Sequence, residues 1–138
     1  MNHATPIRTG RHCVYLLHAH LVFVAKYRRT IFSKNMLVAM QLIFDKVCQG
    51  FESTLIEFEG ECDHVHLLVN YPPKVSLSKL INSLKGVSSR RLRQQFSEIH
   101  RYYWKRMLWS PSYFAGSCGG VPLSVVKQYI QNQKSSLE

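Results

Sequence analysis

The segment from residue 63 to 71 reads DHVHLLVNY, and it decides how the rest of the chain is interpreted. Side chains of a β-strand alternate between the two faces of a sheet. One face then presents the aliphatic residues Val65, Leu67 and Val69, which we expect to pack against helices. His64 and His66 should lie side by side on the other face, close enough to hold one metal ion. We expect that second face to be open.

The preceding segments predict a strand, a helix and a hairpin. Residues 12–26 are rich in Val, Leu and aromatic residues and predict a long first strand. Ser33 is a suitable N-cap for a helix whose apolar residues recur at spacings of three and four until Gly50. The short strands predicted over 54–59 and 63–71 are separated by a glycine, which suits a hairpin.

The following segments complete the pattern. Ser76 predicts the N-cap of a second amphipathic helix, residues 112–118 a fourth strand, and Pro122 the start of a last helix that ends near Lys134. The order β-α-β-β-α-β with a terminal helix is typical of an α+β, ferredoxin-like (RRM-like) antiparallel sheet with helices on one face. We expect one domain over residues 1–138.

The charge of the chain indicates a nucleic-acid partner. A net charge of +10 and a pI near 9.7 favour binding to a polyanion, which releases condensed counterions. Some of the basic residues form two clusters. In the first, Lys26, Arg28 and Arg29 surround the aromatic Tyr27; the second contains Lys85, Arg90, Arg91 and Arg93. Basic residues beside aromatic rings suit single strands, whose unstacked bases can lie on the rings. A solvated basic helix face is the alternative for the second cluster.

The sequence also predicts a compartment. It has no apolar run of about 18 residues and no signal-peptide core, so we expect a cytoplasmic protein without a membrane span. The 4 cysteines form no CxxC pair, which argues against a disulfide framework or a four-cysteine zinc site. We expect reduced, mostly buried thiols.

Spacing alone leaves several uses open for the histidines. His18 and His20 form a second pair of the same parity on the first strand. Cys62 shares parity with His64 and His66, and the three could offer a zinc-like set of ligands. A purely structural role for either pair is a further alternative.

The stretch DHVHLLV resembles the His-hydrophobe-His motif of the single-tyrosine HUH transposases, the TnpA-type enzymes of small bacterial and archaeal insertion sequences. Other patches follow in the family's order between residues 12 and 133. They are HLVF (20–23), KYRR (26–29), LKG (84–86), SSRR (88–91), WSPSY (109–113) and YIQNQ (129–133). Any one patch would be weak, but their common order makes the resemblance specific.

This resemblance implies a metal-dependent DNA endonuclease and strand transferase. It makes Tyr129 the nucleophile and implies a 5′-phosphotyrosine intermediate. His64, His66 and Gln133 become the ligands of Mg²⁺ or Mn²⁺, while Asp63 and His20 lie beside them. Tyr129 and Gln133 are four residues apart and therefore share one helical face. A tyrosine that only packs its helix is the alternative.

The family resemblance also implies partners. They are single-stranded DNA with hairpins at the element ends and a second subunit, with the His pair of one chain serving Tyr129 of the other. Val22 and Val24 make both faces of the first strand apolar, which also favours a homodimer. The alternatives are a non-catalytic single-stranded DNA or RNA binder, and a domesticated palindrome-processing relative or inactive remnant.

Two features depart from the family pattern. Cys62 lies where a small residue or proline is expected, so a soft ligand near the metal would allow zinc inhibition. The sequence also ends soon after Gln133, which leaves little tail to hold the last helix.

Overall fold

The computed structural model describes residues 7–9, 14–105 and 107–117. The elements in chain order are β1 Arg8–Thr9, β2 Val14–Tyr15, β3 His18–Ala25, α1 Lys34–Gly50, β4 Thr54–Gly60, β5 His64–Asn70, α2 Leu77–Gln95 and β6 Trp109–Gly116. Strands β3 to β6 form an antiparallel sheet in the order β4-β5-β3-β6. Together with α1 and α2 this is the predicted ferredoxin-like arrangement. The terminal helix predicted over 122–134 lies outside the described residues.

Both long helices begin where the sequence predicts. The Ser33 hydroxyl accepts a hydrogen bond from the Met36 backbone N–H at 3.2 Å, and the Ser76 hydroxyl accepts one from Lys79 at 3.4 Å. These bonds satisfy amides that lack a partner in the first turn of a helix. Within the described residues, neither helix combines the length and apolar character that crossing a bilayer requires.

One face of the sheet packs against the two helices, as the alternation in β5 predicts. Val65, Leu67 and Val69 are completely buried and belong to the same core as Leu80, Ile81 and Leu84 of α2. The Phe23 ring of β3 lies edge-on to Phe44 of α1, with ring centroids 5.9 Å apart. The predicted inward face of the sheet is therefore confirmed.

The single long first strand predicted over residues 12–26 is wrong. The segment contains two short strands, because β2 pairs with β1 in a separate two-stranded sheet and β3 pairs with β5 and β6. Leu16 and Leu17 connect them, and the Leu17 carbonyl accepts a hydrogen bond from the Tyr71 N–H at 3.0 Å. At the other end β3 ends at Ala25, because Tyr27 adopts a left-handed backbone with φ of 61°.

The last described strand begins at Trp109, three residues before the start of the strand predicted over 112–118. Trp109 pairs with Ala25, and Tyr113 pairs with Phe23, so β6 has extra residues between these pairs. This irregularity contains Pro111, a residue without an N–H that sheets accept at edges and bulges. The strand ends at Gly116 rather than at residue 118.

The second face of the sheet is buried, so the expectation of an open face is wrong. The exposed fraction of His64 is 4%, that of His66 is 3%, and Val22 and Val24 are each 1% exposed. Val22 lies directly opposite His66 and Val24 opposite His64, so aliphatic side chains flank the two imidazoles. The two valines therefore need no second subunit to remove them from water, and they do not support a dimer.

Candidate metal and nucleic-acid site

The two histidines of β5 form the centre of the candidate site. His64 and His66 have ring centroids 5.0 Å apart, with an interplanar angle of 76°. Their adjacency confirms the prediction from the period of two, because alternate residues of a strand share a face. Imidazole is the commonest metal ligand in proteins, so two neighbouring imidazoles on one strand could supply two ligands of a metal site.

A carboxylate fixes the orientation of the first imidazole. Asp63 Oδ1 lies 2.7 Å from His64 Nδ1, and the Asp63 carbonyl accepts a hydrogen bond from the Ala25 N–H at 2.8 Å. A proton on Nδ1, donated to this carboxylate, would leave the Nε2 lone pair of His64 free to act as an acceptor or ligand. The predicted position of Asp63 beside the histidines thus agrees with the geometry.

The turn after β3 brings a cation to this carboxylate. Arg28 Nε lies 3.8 Å from Asp63 Oδ2, and the Arg28 side chain is about one quarter exposed. Tyr27 and Arg28 both have positive φ, 61° and 52°, which non-glycine residues rarely adopt. The sequence predicted Arg28 only as a DNA-binding residue, since no local pattern reveals this distant contact with Asp63.

Cys62 does not complete a metal site with the histidine pair. Among the residues that the structure describes, no three His, Cys, Asp or Glu side chains come together in a metal-binding group. Cys62 is an exposed free thiol before β5, and its carbonyl accepts a hydrogen bond from the Phe32 N–H at 2.9 Å. The zinc-like set of Cys62, His64 and His66 is therefore wrong. Cys48 is also free, and it is buried as expected.

The competing pair on β3 lies on the same face as the first pair. His18 is opposite Asn70 and His20 is opposite Leu68, which places His20 diagonally from His66. Burial lowers the pKa of His20, and the neighbouring His18 lowers it further. The lowered pKa favours a neutral imidazole at His20, which lies beside the candidate site, where the family resemblance puts it.

The basic residues of α2 have different environments. Lys85 donates a hydrogen bond from Nζ to the Ser110 carbonyl at 2.7 Å, and burial lowers its pKa. Lys85 therefore connects α2 to β6, which the sequence did not predict. Arg90 and Arg91 are exposed, as the prediction of phosphate binding requires.

The exposed arginines border two adjoining depressions on α2. One has a volume of about 560 Å³ and is lined by Gly86, Ser89, Arg90, Arg93 and Gln94. The other, of about 420 Å³, is lined by Arg90, Arg91, Gln94 and Gln95. The two glutamines add amide donors to the guanidinium groups. Sequence reasoning missed them, although they continue the same helix face.

The nucleophile predicted from the sequence, Tyr129, and the third ligand, Gln133, lie outside the described residues. Among the tyrosines that the structure describes, Tyr103 is a poor alternative candidate for the nucleophile. Its hydroxyl donates a hydrogen bond to the Lys26 carbonyl, and burial raises its pKa to about 12.

The fold and the site define a ferredoxin-like α/β protein with a histidine pair at the centre of its sheet and exposed arginines on one helix. The chain belongs to the IS200-like transposase family, whose family model matches residues 13–133.

Individual relatives agree with this assignment. The transposase of insertion sequence IS200 from Salmonella typhimurium is 34% identical over 114 residues, which cover 83% of this chain and 74% of that protein. The ISDra2 transposase TnpA of Deinococcus radiodurans is 28% identical over 127 residues, covering 92% and 91% of the two chains.

Solved structures show the same fold. A crystal structure assigned to a transposase of Deinococcus radiodurans R1 has a TM-score of 0.79 and 29% identity, and covers 92% of this chain and 98% of that one. The REP-associated tyrosine transposase bound to a REP hairpin has a TM-score of 0.57 over 94% of this chain and 76% of its own. At 11% identity the second likeness concerns the fold alone.

Proposed function

We propose that this transposase cleaves and rejoins single-stranded DNA at insertion-sequence ends through a covalent bond to Tyr129. The observation that supports the proposal best is the pair His64 and His66 beside the Asp63 carboxylate, because two adjacent imidazoles in a transposase could hold a metal ion. The REP-associated relative was solved with a REP hairpin, which favours a DNA hairpin as the structure recognised next to the cut.

The residues present fit a divalent metal. With Nδ1 bonded to Asp63, His64 would offer Nε2 as a ligand, and His66 lies beside it on a buried strand. Gln133 would supply an amide oxygen as the third ligand, so Mg²⁺ or Mn²⁺ suits the mixed and open set. When bound, the ion would stabilise negative charge on the phosphate and on the leaving oxygen.

The bond changes balance without any further reactant. The Tyr129 oxygen attacks phosphorus and loses its proton, the bond from phosphorus to the 3′ oxygen breaks, and the 3′ oxygen takes up a proton. The product is a 5′-phosphotyrosine and a free 3′-hydroxyl. A 3′-hydroxyl that attacks the phosphotyrosine reverses these changes and releases Tyr129. Rejoining needs no ATP, because the phosphodiester bond is exchanged rather than hydrolysed.

The role of the DNA-binding residues follows from their exposure. Arg90 and Arg91, with Gln94 and Gln95, would bind phosphates of the hairpin stem along α2. Lys26, Tyr27 and Arg29 would contact DNA nearer to the histidines, since Arg28 in the same turn contacts Asp63.

The test is formation of a covalent protein–DNA adduct. The protein is incubated with end-labelled single-stranded DNA and Mg²⁺ or Mn²⁺, and the products are separated under denaturing conditions. We expect a labelled protein band that Tyr129→Phe abolishes, while His64→Ala and His66→Ala abolish cleavage and largely retain hairpin binding. Cleavage by both histidine variants would contradict the metal assignment. Binding without any adduct would instead favour the non-catalytic binder.

A further inference from the structure

Two exposed aromatic rings lie on neighbouring surface segments, each beside a lysine. Tyr27 is 65% exposed and Trp104 is 72% exposed. Lys26 Nζ lies 5.4 Å from the centroid of the Tyr27 ring, and Lys105 Nζ lies 5.2 Å from that of Trp104. Arg29 Cζ lies 5.8 Å from the Tyr27 centroid. Rings this exposed contribute little packing to the core, and two of them on neighbouring segments, each beside a cation, form a candidate interaction surface.

Tyr103 holds the two segments together. It is 1% exposed, its hydroxyl donates a hydrogen bond to the Lys26 carbonyl, and its ring centroid lies 5.8 Å from Arg29 Cζ. The buried Arg93 donates from Nη1 to the carbonyls of Tyr103 and Met107, each at 2.9 Å. The segments that present the exposed rings are therefore fixed to each other and to α2.

Both segments contain a residue with a strained backbone. Tyr27 has φ of 61° and Lys105 has φ of 59°, in the left-handed region that non-glycine residues seldom adopt. Such conformations persist where surrounding contacts enforce them, and they are common at functional sites. The strained turns beside the two exposed rings therefore make this surface a candidate binding site.

We propose that Tyr27 and Trp104 form a stacking surface on which unpaired bases of single-stranded DNA lie. The net charge of +10 and the cations beside each ring favour a polyanion over an apolar protein partner. Aromatic rings stack on every base, so the surface does not depend on sequence. It borders the candidate metal site, because Arg28 follows Tyr27 and contacts Asp63. The inference rests on the proposed function, since it concerns the single strand that this site would cleave.

The test compares two DNA probes in EDTA, so that no cleavage is needed. One is a DNA hairpin with an oligothymidine flank of about ten nucleotides, and the other is the same hairpin with a blunt end. We expect Trp104→Ala and Tyr27→Asn each to weaken binding of the flanked hairpin roughly tenfold in fluorescence anisotropy, and to leave the blunt hairpin unchanged. Asn tolerates the left-handed backbone, so Tyr27→Asn removes the ring without breaking the turn.

Three controls separate stacking from other effects. Trp104→Phe keeps an aromatic face and should retain most of the affinity. Leu42→Ala removes an exposed apolar side chain of α1, 68% exposed in the native protein, and should change nothing. With an abasic flank the wild-type protein and Trp104→Ala should bind equally, because no base remains to stack.

Tryptophan emission gives an independent readout. The chain has 2 tryptophans, and Trp109 is 8% exposed, so quenching of emission by the flanked hairpin should report on Trp104 and disappear in Trp104→Phe. The proposal is overturned if Trp104→Ala and Tyr27→Asn bind the flanked hairpin as tightly as the native protein does, or if they lose as much affinity for the blunt hairpin. It is also overturned if light scattering gives these variants a different molar mass from the native protein, which would mean that the rings contact a second copy. A failed adduct test with normal flank binding would reject the proposed cleavage and retain the stacking surface.

Discussion

Asp63 Oδ1 lies 2.7 Å from His64 Nδ1, and this contact fixes the orientation of the His64 ring. A histidine that donates one ring N–H to a carboxylate offers the other nitrogen as a more basic ligand. The same carboxylate is within 3.8 Å of Arg28 Nε, so the turn after β3 and the strand β5 meet at one side chain.

Removal of this carboxylate should weaken metal binding. We expect Asp63→Ala to raise the Kd for Mn²⁺ about 10- to 100-fold, because His64 loses the partner that fixes its tautomer and ring orientation. Isothermal titration with Mn²⁺ measures the Kd, and far-ultraviolet circular dichroism verifies folding. Glu61→Ala is the matched control, since Glu61 is an exposed carboxylate in the same connection. Equal Kd values for Asp63→Ala and the native protein would contradict the role of Asp63.

The basic residues of α2 should divide into structural and DNA-binding groups. Arg90→Gln and Arg91→Gln should each reduce the slope of log K against log salt by about 1, because each arginine would neutralise one phosphate. Lys85→Met should instead lower the free energy of unfolding by about 1–3 kcal/mol, since it removes the bond to the Ser110 carbonyl. Salt titrations of DNA binding and urea denaturation give the two quantities. A reduced salt slope without loss of stability in Lys85→Met would place Lys85 among the phosphate-binding residues.

The buried His20 should make the fold sensitive to acid. Burial and His18 lower its pKa below 6.5, so the unfolded chain takes up a proton at a higher pH than the folded chain does. The free energy of unfolding should therefore fall as the pH decreases from 6.5 to the lowered pKa. We expect His20→Gln to flatten this decline between about pH 7 and about pH 5, as measured by urea denaturation. Equal slopes for the variant and the native protein would show that another group takes up the proton.

If two chains share each active site, as the family resemblance implies, two variants that are inactive for different reasons should restore activity when mixed. A chain with His64→Ala and His66→Ala is mixed with a Tyr129→Phe chain, and the mixture is assayed for the covalent DNA adduct. If the histidines of one subunit serve the tyrosine of the other, each heterodimer has one intact composite site, and the adduct should return. A mixture without adduct would contradict the shared site, and a monomeric mass in light scattering would remove the dimer as well.

The sequence predicted those features that depend on local periodicity. The adjacency of His64 and His66 follows from the alternation of a strand, and the starts of α1 and α2 follow from Ser33 and Ser76. The contact of Arg28 with Asp63 could not be predicted, because it depends on a left-handed backbone at Tyr27 and on residues far apart in the sequence.

The burial of the histidine face was missed for a similar reason. Burial of a sheet face depends on what packs over it, and the alternation of a single strand does not reveal that. The bond from Lys85 to Ser110 likewise requires two elements to be positioned before it can be recognised. The sequence shows that residue 104 is a tryptophan, which could stack on a base, but only the fold shows that its ring is exposed.

Pro111 limits how this protein can aggregate or extend its sheet. Among the described strands, β4 and β6 form the two edges, and edge strands can recruit strands of other molecules. Pro111 has no N–H to offer, and the extra residues between Trp109 and Tyr113 interrupt the regular spacing of donors and acceptors. A continuous intermolecular ladder along the first half of β6 is therefore disfavoured. The other edge, β4, has no proline and is irregular only between Leu55 and Glu57, so substitutions in its regular part, residues 57–60, would affect self-association more strongly.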